Sequence, residues 1–346
     1  MLLSICIPAY NRASVLPALL ESILSQTFAD YEVLICEDVS PQREEIRAVV
    51  ERYGRSHPGR IRYIENENNL GYDGNLRRLI ERAEGEFCMF MGNDDLMCPD
   101  ALRIVADAVR RHSNVGVLVR SYQSFEVEPR NIVQTFRYFP EERLFPAGAA
   151  SIATVYRRAV VIPGMVVRRE AARRWATVEF DGTLLYQLHV IANILVDMDA
   201  VFLPQILVLY RNGGVPDFGN SAAERGRFVP RDQTIESSLA FMRGMLDIAR
   251  AVEARRGVAV FQRILADIAN YSYPVLAIQR HRSRTAFVRY WWALGKLGLR
   301  RHAMFHLYFA ALLLLGTGRC DALIGWVKRR LGYTPALGSI FRGHRA

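Results

Sequence analysis

The stretch "CMFMGNDDLM", residues 88–97, runs from an apolar, strand-like segment into Gly92, Asn93, Asp94 and Asp95 and then back into hydrophobic sequence. Two adjacent carboxylates at a strand end have two uses: they cap the helix that follows, or they hold a cation. The surrounding sequence decides. Upstream, the runs "LLSICIP", "YEVLICE" and "RIRYIE" share strand length and β-branched or aromatic content, with amphipathic stretches such as Ser14 to Gln26 and Asp73 to Ala83 between them. Together with "EFCMFMG" they give the first 120 residues a βαβαβαβ rhythm. That rhythm predicts an α/β fold with a mainly parallel sheet, helices on its faces, and a ligand site beyond the carboxyl ends of the strands.

Four polar segments follow those strands: "PAYNR" (Pro8, Ala9, Tyr10, Asn11, Arg12), "EDVS" from Glu37 and Asp38 to Ser40, "NENNLGYDGN" with Asn69, Gly71 and Asn75, and "GNDD" with Asn93, Asp94 and Asp95. Each alone can be a cap or a turn. Four such segments on one rim of one sheet point to a binding site. GxGxxG after the first strand, GxxxxGK[ST] and GxSxG are all missing, which sets aside dinucleotide, P-loop and α/β-hydrolase chemistry. No His or Cys spacing resembles a zinc site, so any metal here is a hard cation.

Composition sets the outer bounds. The 346 residues, 51% hydrophobic and 23% charged, can bury a full core. The opening "MLLSICIPAYNR" has no basic n-region and meets Pro8 early, so a cytoplasmic chain is expected, with its five cysteines as reduced structural thiols. The net charge of +10 is uneven: from Arg280 to Ala346 there are 13 Lys and Arg against one acid, Asp321, a balance of +12, which leaves −2 for the rest. Arg and aromatic residues mingle in "RHRSRTAFVRYWWALGKLGLRR", and Trp326 sits beside a basic cluster in "DALIGWVKRRLG". This composition suits helices lying on anionic lipid, with Trp291, Trp292, Phe305, Tyr308 and Trp326 as the rings that make contact. The bland alternative is a helical bundle with a basic solvent face. "HAMFHLYFAALLLLGTG" reads as too short and too interrupted by His306 to span a bilayer. Nucleic acid is not expected as a partner, since no recognition motif accompanies the charge.

"SICIPAYNR", "LICEDVS", "NNLGYDGN" and "GNDD" occur in an order and spacing that resemble family 2 glycosyltransferases of the GT-A fold, among them bacterial enzymes of O-antigen and surface-polysaccharide synthesis with a comparable "GSDD". The resemblance implies a GT-A domain over 1–215, with a nucleotide-sugar half (1–120) and an acceptor half (121–215), followed by a basic helical region over 231–346. It implies a nucleotide-diphosphate sugar as donor, a lipid-linked or polysaccharide glycan as acceptor, and a location on the inner face of the cell membrane. It also implies Mg²⁺ or Mn²⁺ as cofactor, held by Asp94 with Asp95, as a template and Lewis acid for the leaving diphosphate. The first acid of the family's DxD falls on Gly92, with Asn93 as a neutral substitute. Pro8, Ala9 and Tyr10 would lie along the nucleoside, Asp38 or Glu37 would accept from the base, and Gly71 and Asn75 would approach the nucleotide. An inverting transfer needs a carboxylate base, and "VEFDGTLLYQLHV" offers Asp181 ahead of a helix beginning near Thr183, with a simple helix cap as the alternative. Glu179 and His189 are reserves, His189 being read as a packed histidine. The rival readings are a nucleotidyltransferase and a degenerate glycan-binding scaffold.

Overall fold

The computed structural model describes residues 1–213 and 216–331. Gly214 and Val215 at the expected domain boundary, and residues 332–346 of the basic region, lie outside the described residues. The first part alternates as expected: β1 (Leu3–Ala9), α1 (Leu16–Leu24), β2 (Tyr31–Glu37), α2 (Arg43–Ser56), β3 (Ile61–Glu65), α3 (Gly71–Arg82) and β4 (Phe87–Phe90). Then come β5 (Leu96–Met97), α4 (Ala101–Arg111), β6 (Val115–Phe125), β7 (Ile132–Phe136), β8 (Arg143–Phe145), α5 (Ala149–Val155), β9 (Val166–Arg168), α6 (Arg169–Arg174), α7 (Tyr186–Asp197) and β10 (Asp199–Arg211). The sheet order is β3-β2-β1-β4-β9-β6-β10-β5, with β7 on β6 and β8 on β10. The strands β1 to β4, β6 and β10 run one way, and the short β5, β7, β8 and β9 run against them. This is a GT-A fold with a helical C-terminal region.

The buried strands are apolar on both faces, as a sheet covered on both sides requires. Helices α1 and α4 pack Leu16, Leu20, Leu102 and Val105 on one face, while α3, α5 and α7 pack Leu76, Ile152 and Leu188 on the other. Strand β10 is the long partner of β6, and its register shifts around Pro204, which has no N–H to give to the ladder.

The apolar run "VVIPG" (160–164) is not strand: Pro163 lacks a donor and Gly164 takes φ 78°, so the chain turns there and only Val166–Arg168 pairs with β4. Helix α7 starts at Tyr186, not Thr183, because Gly182 and Leu184 hold positive φ (77° and 64°) and a buried acid organises the turn. That acid is Asp73 on α3. Its Oδ2 accepts from the N–H groups of Thr183 (2.9 Å) and Leu184 (2.8 Å), and its Oδ1 from Tyr186 (2.8 Å). Three donors at a helix start are thus met from another element, which fixes Leu184 over the sheet.

The C-terminal helices α8 (Ile235–Arg256), α9 (Phe261–Asn270), α10 (Tyr273–Ala277), α11 (Arg284–Lys296) and α12 (Ala303–Leu331) are not an appendage. Leu246, Ile264, Phe287 and Phe305 share one buried core with Val117 and Phe202 of the sheet, Tyr156 Oη donates to the Met245 carbonyl (2.7 Å), and Arg157 pairs with Asp267 (2.7 Å). Three of the rings expected on lipid are held by this bundle instead: Phe305 is fully buried, Trp291 stacks on Phe309 (centroids 4.4 Å apart), and Tyr308 Oη donates to the Asn270 carbonyl (3.2 Å). Trp292 and Trp326 remain more than half exposed.

Burial pushes the Asp73 carboxyl up to about 6. A carboxyl raised in the fold adds stability that is fully present below its unfolded value, near 4, and is lost as the pH rises through 6. The stability of the wild type relative to Asp73→Asn should therefore increase by about 1 kcal/mol between pH 7.5 and pH 5. Urea midpoints at the two pH values measure it, and a pH-independent difference would show that Asp73 does not titrate between them.

Candidate active site

The strand-end segments meet in a cleft of about 410 Å³. Pro8, Tyr10, Arg12, Asp38, Asn69, Gly71, Asn75, Asn93, Asp94 and Asp95 all line it. Ala9, Asn11 and Glu37 stand behind it. Glu37 is fully buried and builds its own loop, accepting from the N–H groups of Val39 (3.1 Å) and Ser40 (2.6 Å) and pairing with Arg43. Asp38 is saturated in a similar way, by Asn66 Nδ2 and the N–H groups of Leu70 and Gly71, each at 2.8 Å. Burial nonetheless raises its carboxyl to about 6, against the lowering effect of those donors. Asn75 spans from α3 to the Cys36 carbonyl (3.0 Å).

The "GNDD" turn answers the question of the missing first acid. A Cβ at Gly92 would lie 2.4 Å from Asp95 Oδ2, so no side chain fits there while Asp95 points inward. Asp95 is buried. Its Oδ1 accepts from the Arg211 N–H (2.9 Å), its Oδ2 has no partner, and burial raises its carboxyl to about 6. Asn93 lines the cleft, and its Nδ2 donates to the Asn11 carbonyl (2.9 Å), which ties this turn to the first loop. Asp94 also lines the cleft, where it pairs with Arg12. Asn11 and Arg12 both have positive φ (55° and 63°), a strained turn that aims the guanidinium at Asp94.

Among the described residues, no three His, Cys, Asp or Glu side chains gather into a metal cage. The donor set still suits a hard cation that arrives with phosphates, since such an ion needs only one or two protein carboxylates. Asp94 faces the cleft, and beside it Asp95 Oδ2 is a buried oxygen without a donor.

Asp181 does not line the cleft. Arg77 grips it in a fork (Nη1–Oδ1 2.5 Å, Nη2–Oδ2 2.9 Å), and Arg77 Nη1 also donates to the Thr177 carbonyl (2.9 Å), so the carboxylate braces the loop before α7. Glu179 lies on the surface, paired with Arg255. His189 is buried against Trp175 O (3.0 Å), and desolvation lowers its pKa, as a packed neutral histidine requires.

The far end of the cleft escaped the sequence reading. One wall is the turn Val160–Pro163 with Leu184 and Phe241; the other is a strap after β10 bearing Asp217, Phe218, Asn220 and Glu224. Glu224 anchors that strap by accepting from the N–H groups of Tyr72 (2.8 Å) and Gly219 (2.9 Å), and Phe218 sits edge-on to Tyr72 (centroids 5.7 Å apart). Asp217 is held more loosely, by Asn11 Nδ2 at 3.3 Å and Arg231 at 3.7 Å. The only available signal was composition: "RNGGVPDFGN" reads as a Gly-rich loop, and nothing in it says which residues fold back over the sheet.

The model of the family described as glycosyl transferase family 2 matches residues 4–174. Abequosyltransferase RfbV of Salmonella typhimurium is 25% identical over 196 residues, 54% of this chain and 57% of that one. The Escherichia coli UDP-Glc:alpha-D-GlcNAc-diphosphoundecaprenol beta-1,3-glucosyltransferase WfgD is 26% identical over 122 residues, 35% of this chain and 46% of that one. The matches thus span about half the length of these relatives. In fold, the chain is similar to S. aureus TarS in complex with UDP-GlcNAc, with a TM-score of 0.57 and 18% identity over 96% of this chain and 93% of that one. It is also similar to a mannosyltransferase from Pyrobaculum calidifontis in complex with GDP-Man and Mn²⁺, with a TM-score of 0.51 and 16% identity over 90% of this chain and 87% of that one.

Gly71 starts α3 at φ 73°, and a Cβ there would lie 2.4 Å from Ser221 Oγ and 2.7 Å from Glu224 Oε1. Gly71→Ala should push the strap off α3, lower stability by roughly 1–3 kcal/mol and weaken the binding of nucleoside diphosphates at least tenfold. Calorimetric titration with UDP, GDP, CDP and dTDP checks it; wild-type affinity in the variant would mean that the strap does not shape this end of the cleft.

Proposed function

The chain belongs to glycosyl transferase family 2 through residues 4–174, and on that premise we propose that it transfers one sugar, with inversion, from a nucleotide-diphosphate donor to a glycan acceptor in bacterial cell-surface glycan synthesis of the O-antigen kind. The observation that carries the reading is the cleft itself. Four strand-end segments and a strap meet around one cleft, in which Asp94 pairs with an arginine, Arg12. The acceptor is lipid-linked or a polysaccharide, and the enzyme works on the inner face of the cell membrane. Support for a lipid-linked acceptor comes from the similarity to WfgD, a transferase named for its alpha-D-GlcNAc-diphosphoundecaprenol acceptor.

In this reading the nucleoside lies along Pro8 and Tyr10, against Asp38, Asn69, Gly71 and Asn75. The diphosphate meets Asp94 and Arg12. Mg²⁺ or Mn²⁺, bound at Asp94 with Asp95 adjacent, supplies Lewis-acid stabilisation of the leaving diphosphate. Arg12 adds a fixed positive charge beside the same oxygens, and the Val160–Pro163 wall keeps water from the reacting centre. An inverting attack needs a base that takes the proton of the acceptor hydroxyl as the glycosidic bond forms and the diphosphate departs. Asp217 suits that role better than Asp181, because it lines the cleft and its carboxylate is only loosely engaged, whereas Asp181 is held by Arg77.

Incubation of the full chain with a panel of nucleotide sugars, Mn²⁺ and a lipid-linked glycan extract tests the class. Release of nucleoside diphosphate supports transfer, release of pyrophosphate favours a nucleotidyltransferase, and release of neither favours a binding or scaffold protein. Asp94→Ala should cut transfer by about 100-fold or more with an unchanged melting temperature, since the side chain faces the cleft, not the core. Activity that survives both this change and EDTA would remove the cation from the reaction. Asp217→Asn should lower kcat by roughly 100- to 10,000-fold with donor affinity nearly unchanged. Asp181→Asn should instead lower stability and leave the pH profile of kcat in place; the opposite pattern would return the base to Asp181.

A further inference from the structure

Helix α12 passes over the bundle with its two faces in different surroundings. Phe305, Leu312 and Cys320 are buried against the other helices. Ala303, Leu307, Ala310 and Leu314, spaced as one helical face, are exposed, Leu314 at 79%. No charge falls between Arg301 and Arg319, and only 11% of the most apolar stretch of Ala303–Val327 is buried. That stretch is longer than the sequence reading allowed, and by length and composition it could cross a membrane.

Its geometry argues against crossing. At Gly316 the backbone leaves the helix (φ 76°, ψ 175°), and Arg280 donates to the carbonyl of Leu312 (Nε, 2.7 Å) and reaches that of Leu313 (Nη2, 3.5 Å). A break served by an arginine is costly in hydrocarbon, where every backbone group needs an internal partner and a charge has no water. Removing α12 from the bundle to insert it would also uncover the core around Phe287 and Leu294. A helix with one face on protein and one apolar face outward can lie flat on a bilayer without either cost.

The charges choose the surface. Arg300 and Arg301 stand just before the apolar face and Arg319 just after it, all exposed, and Arg284, Arg289 and Lys296 on α11 are exposed as well. The exposed Trp292 lies under Lys296 (5.8 Å), and Trp326, beyond the kink, is exposed as well. We propose that this face of α11 and α12 is a docking surface for an anionic bilayer, with α12 lying in the membrane plane, leucines toward the acyl chains and arginines at the phosphates. The purpose assigned to it rests on the lipid-linked acceptor proposed above; the binding itself does not. Its basic flanks complement anionic lipid, and they make a second, equally basic copy of the chain a poor occupant.

The test uses the full chain and sucrose-loaded vesicles, either pure phosphatidylcholine or containing about 30% phosphatidylglycerol. The protein should pellet with the anionic vesicles at low salt, stay in the supernatant with the neutral ones, and be released as salt rises. Leu307→Ser with Leu314→Ser should lower the vesicle partition coefficient at least tenfold with an unchanged melting temperature, and Arg300→Gln with Arg301→Gln and Arg319→Gln should do the same. Failure of the wild type to pellet would overturn the proposal. So would resistance to alkaline carbonate extraction, which marks a spanning helix, or a dimer in sedimentation velocity that the leucine variant abolishes. Because no donor is present, a chain that binds vesicles but transfers no sugar leaves this inference standing and removes the enzymatic one.

Discussion

The hydrogen bond from the Arg211 N–H to the buried carboxylate of Asp95 joins the two halves of the site. Asp95 ends the "GNDD" turn after β4, and Arg211 ends β10, 116 residues later. Across that bond the turn acquires its shape, since Asp95 occupies the space any side chain at position 92 would need, and Asp94 is left facing the cleft. Arg211 Nε also donates to the Asp94 carbonyl (3.0 Å), so the backbone of Asp94 is held from the same strand end. The strap residues that line the far side of the cleft, from Pro216 on, follow Arg211 closely in sequence. The glycine at position 92 is thus matched to the inward-pointing side chain of Asp95.

The acids of this site divide by how many donors they already serve. Glu37, Asp38, Asp73 and Glu224 are buried and accept two or three backbone or amide N–H groups each, so they shape loops and position other side chains. Such bonds to an ionised acceptor are strong, and a carboxylate used in this way is expensive to redeploy in a reaction. Asp94 and Asp217 serve fewer such donors: Asp94 pairs with Arg12, and Asp217 has only contacts at 3.3 and 3.7 Å to Asn11 and Arg231.

The difference explains what could be read from the chain. The strand-helix alternation, the four segments and their meeting at one rim were legible because periodicity and local turn chemistry are written in consecutive residues. Ten of the residues expected from those segments line the cleft. Long-range pairings were not legible. That Arg77 would reach across 104 residues to Asp181, or Asp73 across more than a hundred to the start of α7, depends on packing between elements that no spacing reports. The same limit hid the strap, and it misassigned Phe305, Trp291 and Tyr308: composition shows an aromatic, basic region but not which rings face the bundle.

The helical region also has a mechanical consequence for the site. Phe241 on α8 lines the cleft, and α8 shares its core with α7, whose start is fixed over the sheet through Asp73. A rigid, continuous core means that whatever holds α11 and α12 also sets the orientation of the cleft, because protein interiors transmit displacement without absorbing it. A membrane-bound α12 would then do more than raise the local concentration of a lipid-linked acceptor. It would present the cleft at one fixed angle and height above the bilayer, so that an acceptor whose lipid stays anchored could enter only from the side the bundle faces.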